Sequence, residues 1–203
     1  MMERMANSDR DNIEYASRTD EQLAELCKKR DQAAFQELMR RYLKPIYNFS
    51  YQYGKDESVA EDIAQDAFFK AWKHMARYTK GRAFKPWLYT IARNTALDHL
   101  KKRKAAAFSD LDDADNDVAF ADSLADVEPL PPELFERSEL AHELGSVMQH
   151  LPPDYRAVLV LHYRSEMTFD EIAEIMDAPM NTVKSWHRRA LIKLRELLMH
   201  RRP

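Results

Sequence analysis

Apolar residues recur at three- and four-residue intervals along most of this chain, and short polar or proline-bearing interruptions divide them into separate runs. Thr19 and Gln22 stand at the spacing of a capping box, in which hydroxyl and amide satisfy orphaned backbone N–H groups. Leu23, Leu26 and Cys27 then follow as the stripe of a first helix. Phe35, Leu38, Met39 and Tyr42 mark a second helix, which Pro45 is expected to end or kink, since proline removes a donor and crowds the preceding turn. Tyr47, Phe49, Tyr51 and Tyr53 lead on to Gly54. Ser58 and Glu61 repeat the capping-box spacing ahead of a stripe of Val59, Ile63, Ala67 and Ala71, with Trp72. Glu61, Asp62, Gln65, Asp66 and Lys70 fall elsewhere on that helix. After a basic loop around Gly81, Pro86 is placed as the first residue of a helix carrying Leu88, Ile91, Thr95 and Asp98 on one stripe.

Helical periodicity lapses over residues 105–133, which end in Pro129, Pro131 and Pro132 and read as a flexible linker. Residues 134–150 form one further helix, and Pro152 and Pro153 open another in which Tyr155, Val158, Leu159 and His162 repeat. Thr168 and Glu171 cap a short helix with Phe169, Ile172, Ala173 and Met176 apolar. Residues 177–180 break it, and Asn181 can cap the last helix. That helix turns Val183, Ala190, Leu194 and Leu197 to one side and groups Lys184, Ser185, Arg188 and Arg189 on another. Helix, short turn and helix is the spacing that sets a second helix into the major groove of DNA. The expectation is an all-α chain: a disordered arm over 1–18, a helical domain over 19–104, a linker over 105–133 and a second helical domain over 134–203.

Composition narrows the chemistry. Three glycines, Gly54, Gly81 and Gly145, leave no glycine-rich phosphate cradle. Cys27 is the only cysteine, which excludes an internal disulfide and a multi-cysteine zinc site and suits a reducing compartment. No apolar run reaches the roughly 18 to 20 residues of a membrane helix, and the first dozen residues lack a signal peptide's apolar stretch, so a cytoplasmic protein is expected. No HExxH pattern occurs, and acids gather in the linker or at helix N-termini, where the helix dipole favours them. Neither catalysis, metal nor cofactor is expected.

The net charge of -3 conceals segregation. Residues 1–104 carry 21 Lys and Arg against 15 Asp and Glu, residues 105–136 carry ten acids and no base, and residues 137–203 are nearly balanced at 10 against 9. Within the basic half, Lys80, Arg82 and Lys85 alternate with Phe84, Trp87 and Tyr89, and Arg93, Asn94 and the basic run 101–104 follow. Such interleaving suits single-stranded DNA, because each unstacked base gains about 1 to 3 kcal/mol on an aromatic face while its phosphates need cations. The competing reading makes Phe84, Trp87 and Leu88 core. His187 lies on the apolar stripe of its helix, where a histidine hydrogen-bonded within the fold stands against a DNA contact.

The strings DEQLAEL, DQAAFQELMRRY, AEDIAQDAFFKAW, FKPWLYTIARNTALDHLKKRK and TFDEIAEIMDAPMNTVKSWHRRALIKLRELL occur in one order. Together they resemble the extracytoplasmic-function sigma factors of the sigma-70 family over residues 19–104 and 134–200. The resemblance implies a sigma-2 domain that binds the clamp of the polymerase β′ subunit through Asp62, Gln65, Asp66 and Phe69. It implies that Lys80, Arg82, Phe84, Lys85, Trp87, Arg93 and Asn94 face the melted downstream promoter element. It also implies a sigma-4 domain that reads the upstream element through Thr182, Lys184, Ser185, Arg188 and Arg189. Promoter DNA, the polymerase core with its β flap, and an anti-sigma factor are the implied partners of a chain monomeric when free, in a stress response. The sequence departs from the family at Trp186 and His187, where arginine and an aliphatic residue are usual, and at Asn181, where glycine is common. The rival reading is a helix-turn-helix regulator whose first half is a sensor or dimerisation domain and which needs no polymerase. The acidic linker is either a tether or a segment drawn into a basic polymerase channel.

Overall fold

The computed structural model describes residues 14–109 and 144–199, and these form helices and turns with no strand among them. The first half holds α1 (Asp20–Lys28), α2 (Gln32–Gly54), α3 (Glu57–His74), a 3-10 turn (Met75–Arg77) and α4 (Phe84–Ser109). In the second, residues 144–148 are helical. They are followed by α5 (Pro153–Leu159), a π turn (Val160–Arg164), α6 (Phe169–Met176) and α7 (Met180–Met199). The all-α expectation holds. The linker and the first 13 residues of the expected arm lie outside the described residues, apart from 105–109, which continue α4.

Local chemistry sets most helix starts. Thr19 and Thr168 each form the full capping box, with Gln22 and Glu171. Pro153 occupies the first turn of α5, where a missing N–H costs nothing. Four expectations are corrected. Helix α3 starts from Asp56, whose carboxylate accepts from Val59 N at 3.1 Å, so Ser58 lies inside the first turn rather than at the cap. Helix α4 starts at Phe84 with Pro86 still in its first turn, and α7 starts at Met180, ahead of Asn181. Of the two effects expected at Pro45, ending the helix is excluded: α2 runs on through it, its ring is exposed, and the stripe Leu38, Tyr42, Ile46, Phe49 and Tyr53 stays buried. Residues 14–18 are also held. The Tyr15 hydroxyl donates to Asp31 at 3.0 Å, and Arg41 donates to the Ala16 carbonyl at 2.9 Å.

One apolar cluster runs through both halves: Leu23, Leu38, Ile46, Phe49, Ile63, Phe84 and Leu88 share it with Val158, Leu161, Ile172 and Ile175. A second, smaller cluster of Val147, Leu151, Leu159, Ala190 and Leu194 belongs to the second half alone. Arg156 crosses the seam. It is 1% exposed, donates to the Gln149 carbonyl at 3.0 Å and to the Gln52 carbonyl of α2, and leaves its Nε without an acceptor. Cys27 is fully buried, and that burial pushes its thiol up to about 12.

A polar network ties α1 to α2. Buried Glu37 accepts from Arg40 at 2.7 and 2.8 Å and from Arg41 at 2.7 Å, and Arg41 also reaches Asp20 at 2.7 Å. The Arg40 hydrogen bonds, joined by Arg41 against the opposing cost of burial, hold the Glu37 carboxyl down at about 2. Because the folded state prefers ionised Glu37, its contribution is present above the unfolded carboxyl's pKa of about 4.3 and fades as pH falls toward 2. Glu37→Gln is expected to lower unfolding free energy by about 1 to 3 kcal/mol at pH 7. In chemical denaturation the gap to wild type should narrow between pH 4 and pH 2.

Candidate nucleic-acid and partner interfaces

Helix α3 buries Ala60, Ile63, Ala64, Ala67, Phe68 and Ala71, and this stripe leaves Asp62, Gln65, Asp66 and Phe69 together on the outer face. Phe69 is 65% exposed, an aromatic ring standing in water beside carboxylates. A groove of about 990 Å³ between α2 and α3 adjoins this face, lined by Met39, Leu43, Tyr47 and Gln65 among others. Asp66 is not free, since its Oδ2 lies 2.9 Å from His99 Nε2 of α4. His99 is a residue that sequence reasoning missed, because no local pattern pairs positions 33 apart.

The basic loop is shaped by Tyr78, whose buried ring bears a hydroxyl donating to the Arg82 carbonyl, and by Gly81, at φ +89°. Lys80 and Arg82 are exposed, Lys85, Trp87 and Arg93 half-buried, and Asn94 exposed. Phe84 corrects an expectation. It is fully buried, with its ring centroid 5.8 Å from that of Tyr42, 5.9 Å from Tyr78 and 5.6 Å from Trp87, so it is core and no free platform for a base. Trp87 keeps one part accessible while resting on Tyr78 at 5.4 Å.

The second half meets this same surface. Lys85 Nζ donates to the Ser165 carbonyl, the Tyr89 hydroxyl is 2.9 Å from the Ser165 hydroxyl, and Arg82 lies 3.1 Å from Glu174. Tyr53 donates to the Met176 sulfur at 3.9 Å, and its hydroxyl also faces the Arg93 guanidinium.

In the helix-turn-helix, Lys184, Arg188 and Arg189 of α7 are exposed and Thr182 and Ser185 half-buried, while Val183 and Ala190 fix the opposite face in the core. Asp177, in the left-handed region at φ 47°, closes α6 and makes the turn. His187 is hydrogen-bonded within the fold, Nε2 to the Tyr163 hydroxyl at 3.1 Å. Its ring packs edge-on to His162 and Phe169, both at 5.2 Å. Burial, then the neighbouring His162, lowers its pKa, which favours the neutral ring. Trp186 packs half-buried against the main core. Behind α7 lies an open apolar groove of about 580 Å³ bounded by Leu144, Met148, Leu159, Tyr163, Leu191 and Leu198. Among the described residues no group of three or more His, Cys, Asp or Glu is disposed to hold a metal, and no helix is long and apolar enough to cross a membrane.

Comparison with known proteins matches both halves. Residues 38–106 match the model of sigma-70 region 2, and residues 141–194 match that of sigma-70 region 4. The chain is 34% identical over 173 residues to the ECF RNA polymerase sigma factor SigW of Bacillus subtilis, covering 84% of this chain and 92% of that one. It is 33% identical over 168 residues to the RNA polymerase sigma-H factor of Pseudomonas aeruginosa, covering 82% and 86%. Among solved structures, CnrH in complex with the cytosolic domain of CnrY matches at a TM-score of 0.64 and 25% identity, covering 90% of this chain and 99% of that one.

The reassignment of Phe84 has a direct check. Phe84→Ala should cost about 3 to 5 kcal/mol of unfolding free energy by leaving a cavity among three rings. Lys80→Ala, at an exposed position four residues before Phe84, should stay within about 0.5 kcal/mol of wild type in the same denaturation measurement.

Proposed function

This chain belongs to the extracytoplasmic-function sigma factors of the sigma-70 family, and on that premise we propose which of its surfaces performs each step of transcription initiation. As an RNA polymerase sigma factor it binds core polymerase and directs initiation at particular promoters. It acts as a specificity subunit in the cytoplasm rather than as an enzyme. The domain assignment follows the sequence reading, with sigma-2 over residues 19–104 and sigma-4 over 134–203.

The polymerase-facing surface is assigned to Asp62, Gln65, Asp66 and Phe69. The observation that supports it best is their joint exposure on α3 beside an open groove, with an unprotected aromatic ring in the middle. An aromatic anchor that a partner buries within a polar rim is the usual composition of a specific protein interface. The apolar groove behind α7 is assigned to the polymerase β flap, since a surface bounded by Leu144, Leu191 and Leu198 asks for an apolar partner.

Lys80, Arg82, Lys85, Trp87, Arg93 and Asn94 are assigned to the single-stranded downstream element, with Phe84 now acting only as the support under Trp87. Thr182, Lys184, Ser185, Arg188 and Arg189 are assigned to the major groove of the upstream element, where arginine and lysine read guanine edges and the smaller hydroxyls take phosphates. An anti-sigma factor is the expected regulator, in keeping with the solved complex of CnrH with the cytosolic domain of CnrY.

The decisive experiment is assembly of holoenzyme. Asp62→Arg combined with Asp66→Arg should abolish co-purification with core polymerase while the circular dichroism spectrum and melting temperature stay near wild type; normal assembly by this folded variant would remove the assignment. For the upstream element, Lys184→Ala and Arg188→Ala should each cost roughly 1 to 3 kcal/mol of promoter affinity in the holoenzyme, confined to particular base pairs in a substitution scan of the site. Loss spread evenly over all sequences would make them phosphate contacts instead.

A further inference from the structure

We infer that His162 and His187 are positioning residues for recognition of the upstream element: with Phe169 they form the seat on which the Lys184 ammonium rests, and the seat is complete only while both imidazoles are neutral. This rests on the assignment of Lys184 to the upstream element made above and adds the groups that aim it. The three rings come from three elements. His162 of the π turn lies flat on Phe169 of α6, their centroids 4.7 Å apart and their planes at 14°, and His187 of α7 stands edge-on to both at 5.2 Å. The Lys184 ammonium lies over the same Phe169 ring at 6.0 Å, three residues before His187 on α7. An exposed lysine otherwise spreads its charge over many rotamers, and a ring face beside it narrows them.

Each imidazole has a partner that suits the neutral ring. His162 Nδ1 is 2.9 Å from the Met167 carbonyl, which can only accept, so Nδ1 carries the proton and Nε2 is left bare. His187 Nε2 is 3.1 Å from the Tyr163 hydroxyl, which can donate to it. A proton added to either ring meets cations rather than carboxylates. From the π turn His187 faces His162 and Tyr163, and from α6 it faces the uncharged Phe169. Lys184, Arg188 and Arg189 flank it along α7, and Arg164 is a further cation of the π turn. Of the acids on α6 and the loop before it, Glu171 is taken by the Thr168 cap, Glu174 pairs with Arg82, and Glu166 and Asp170 are exposed; none of the four acts on the His187 ring. An imidazolium at His162 puts a second cation on the ring that Lys184 uses, and one at His187 stands beside it. Burial, then the neighbouring His162, already weakens the hold of His187 on a proton. The folded ring therefore protonates less readily than an unfolded imidazole, whose pKa is about 6.5, so the seat is intact above that pH and weakens as pH falls below it.

The sign of the effect separates positioning from charge alone, since protonated histidines in a DNA-binding domain would by themselves strengthen attraction to phosphates. The test uses holoenzyme assembled from core polymerase and the full chain. The probe is a promoter fragment that wild-type holoenzyme selects from a pool of duplexes randomised over the upstream element. Discrimination is the ratio of affinities for this fragment and for the same fragment with that element scrambled. It is followed from about pH 7.5 down to about pH 5.5, each protein being referred to its own value at the upper end. Wild type should lose discrimination at least about threefold over this range. His187→Leu keeps an apolar side chain against Phe169 and takes no proton, and His162→Gln keeps an amide that can donate to the Met167 carbonyl. Each should flatten the profile, and the second variant decides the matter where the first does not fold. A profile as steep as wild type in the folded variants, or wild-type discrimination that stays level or rises on acidification, overturns the inference and leaves the Lys184 assignment standing. Full discrimination by Lys184→Ala at the upper pH overturns that assignment and the inference with it.

Discussion

The buried stripe of α2 is the constraint on which the first half depends. Leu38, Tyr42, Ile46, Phe49 and Tyr53 run along one side of a 23-residue helix, and α1, α3, α4 and, from the second half, α5 all lean on it. Because interiors are packed at crystal density, the direction of each neighbour follows from how its own stripe meets this one. Helix α3 can turn Asp62, Gln65, Asp66 and Phe69 outward only because its small residues Ala60, Ala64, Ala67 and Ala71 let it lie close against this core. The network of Glu37, Arg41, Asp20 and Tyr42 then fixes α1 at the head of the same helix, with the Tyr42 hydroxyl donating to Asp20.

Much of this was legible in the sequence where the determining interactions are short-ranged. Thr19 with Gln22 and Thr168 with Glu171 make hydrogen bonds three residues apart, and the spacing alone reveals them. The same reasoning misplaced the start of α3, because Asp56 offers a carboxylate two residues before Ser58 and captures the orphan donor first. Pro45 does not end its helix for a related reason. A local rule weighs one lost hydrogen bond, whereas the helix is kept whole by tertiary burial of Ile46, Phe49 and Tyr53 on either turn beyond it.

The candidate surfaces were legible as residue types but not as surroundings. Cations alternating with aromatics locate the region of residues 80–94, yet whether a given ring is platform or core depends on neighbours distant in sequence. Phe84 meets Tyr42 from across the fold and is lost to the interior, while Trp87 is not. His99 beside Asp66 and Ser165 beside Tyr89 and Lys85 are pairings across 33, 76 and 80 residues, for which no periodicity exists to be read. The meeting of the two halves has the same origin. An acidic linker read from composition specifies a tether length and says nothing of which faces it allows to touch.

Cys27 carries a further consequence. Its sulfur has no solvent exposure and its thiol is pushed up to about 12, so the thiolate that would attack peroxides and disulfides is essentially absent at neutral pH. Being the chain's only cysteine, it also lacks a resolving partner within the same molecule. Oxidants therefore pass this transcription factor by as far as sulfhydryl chemistry goes, and any thiol-based message that alters gene expression through it has to be written on some other molecule first.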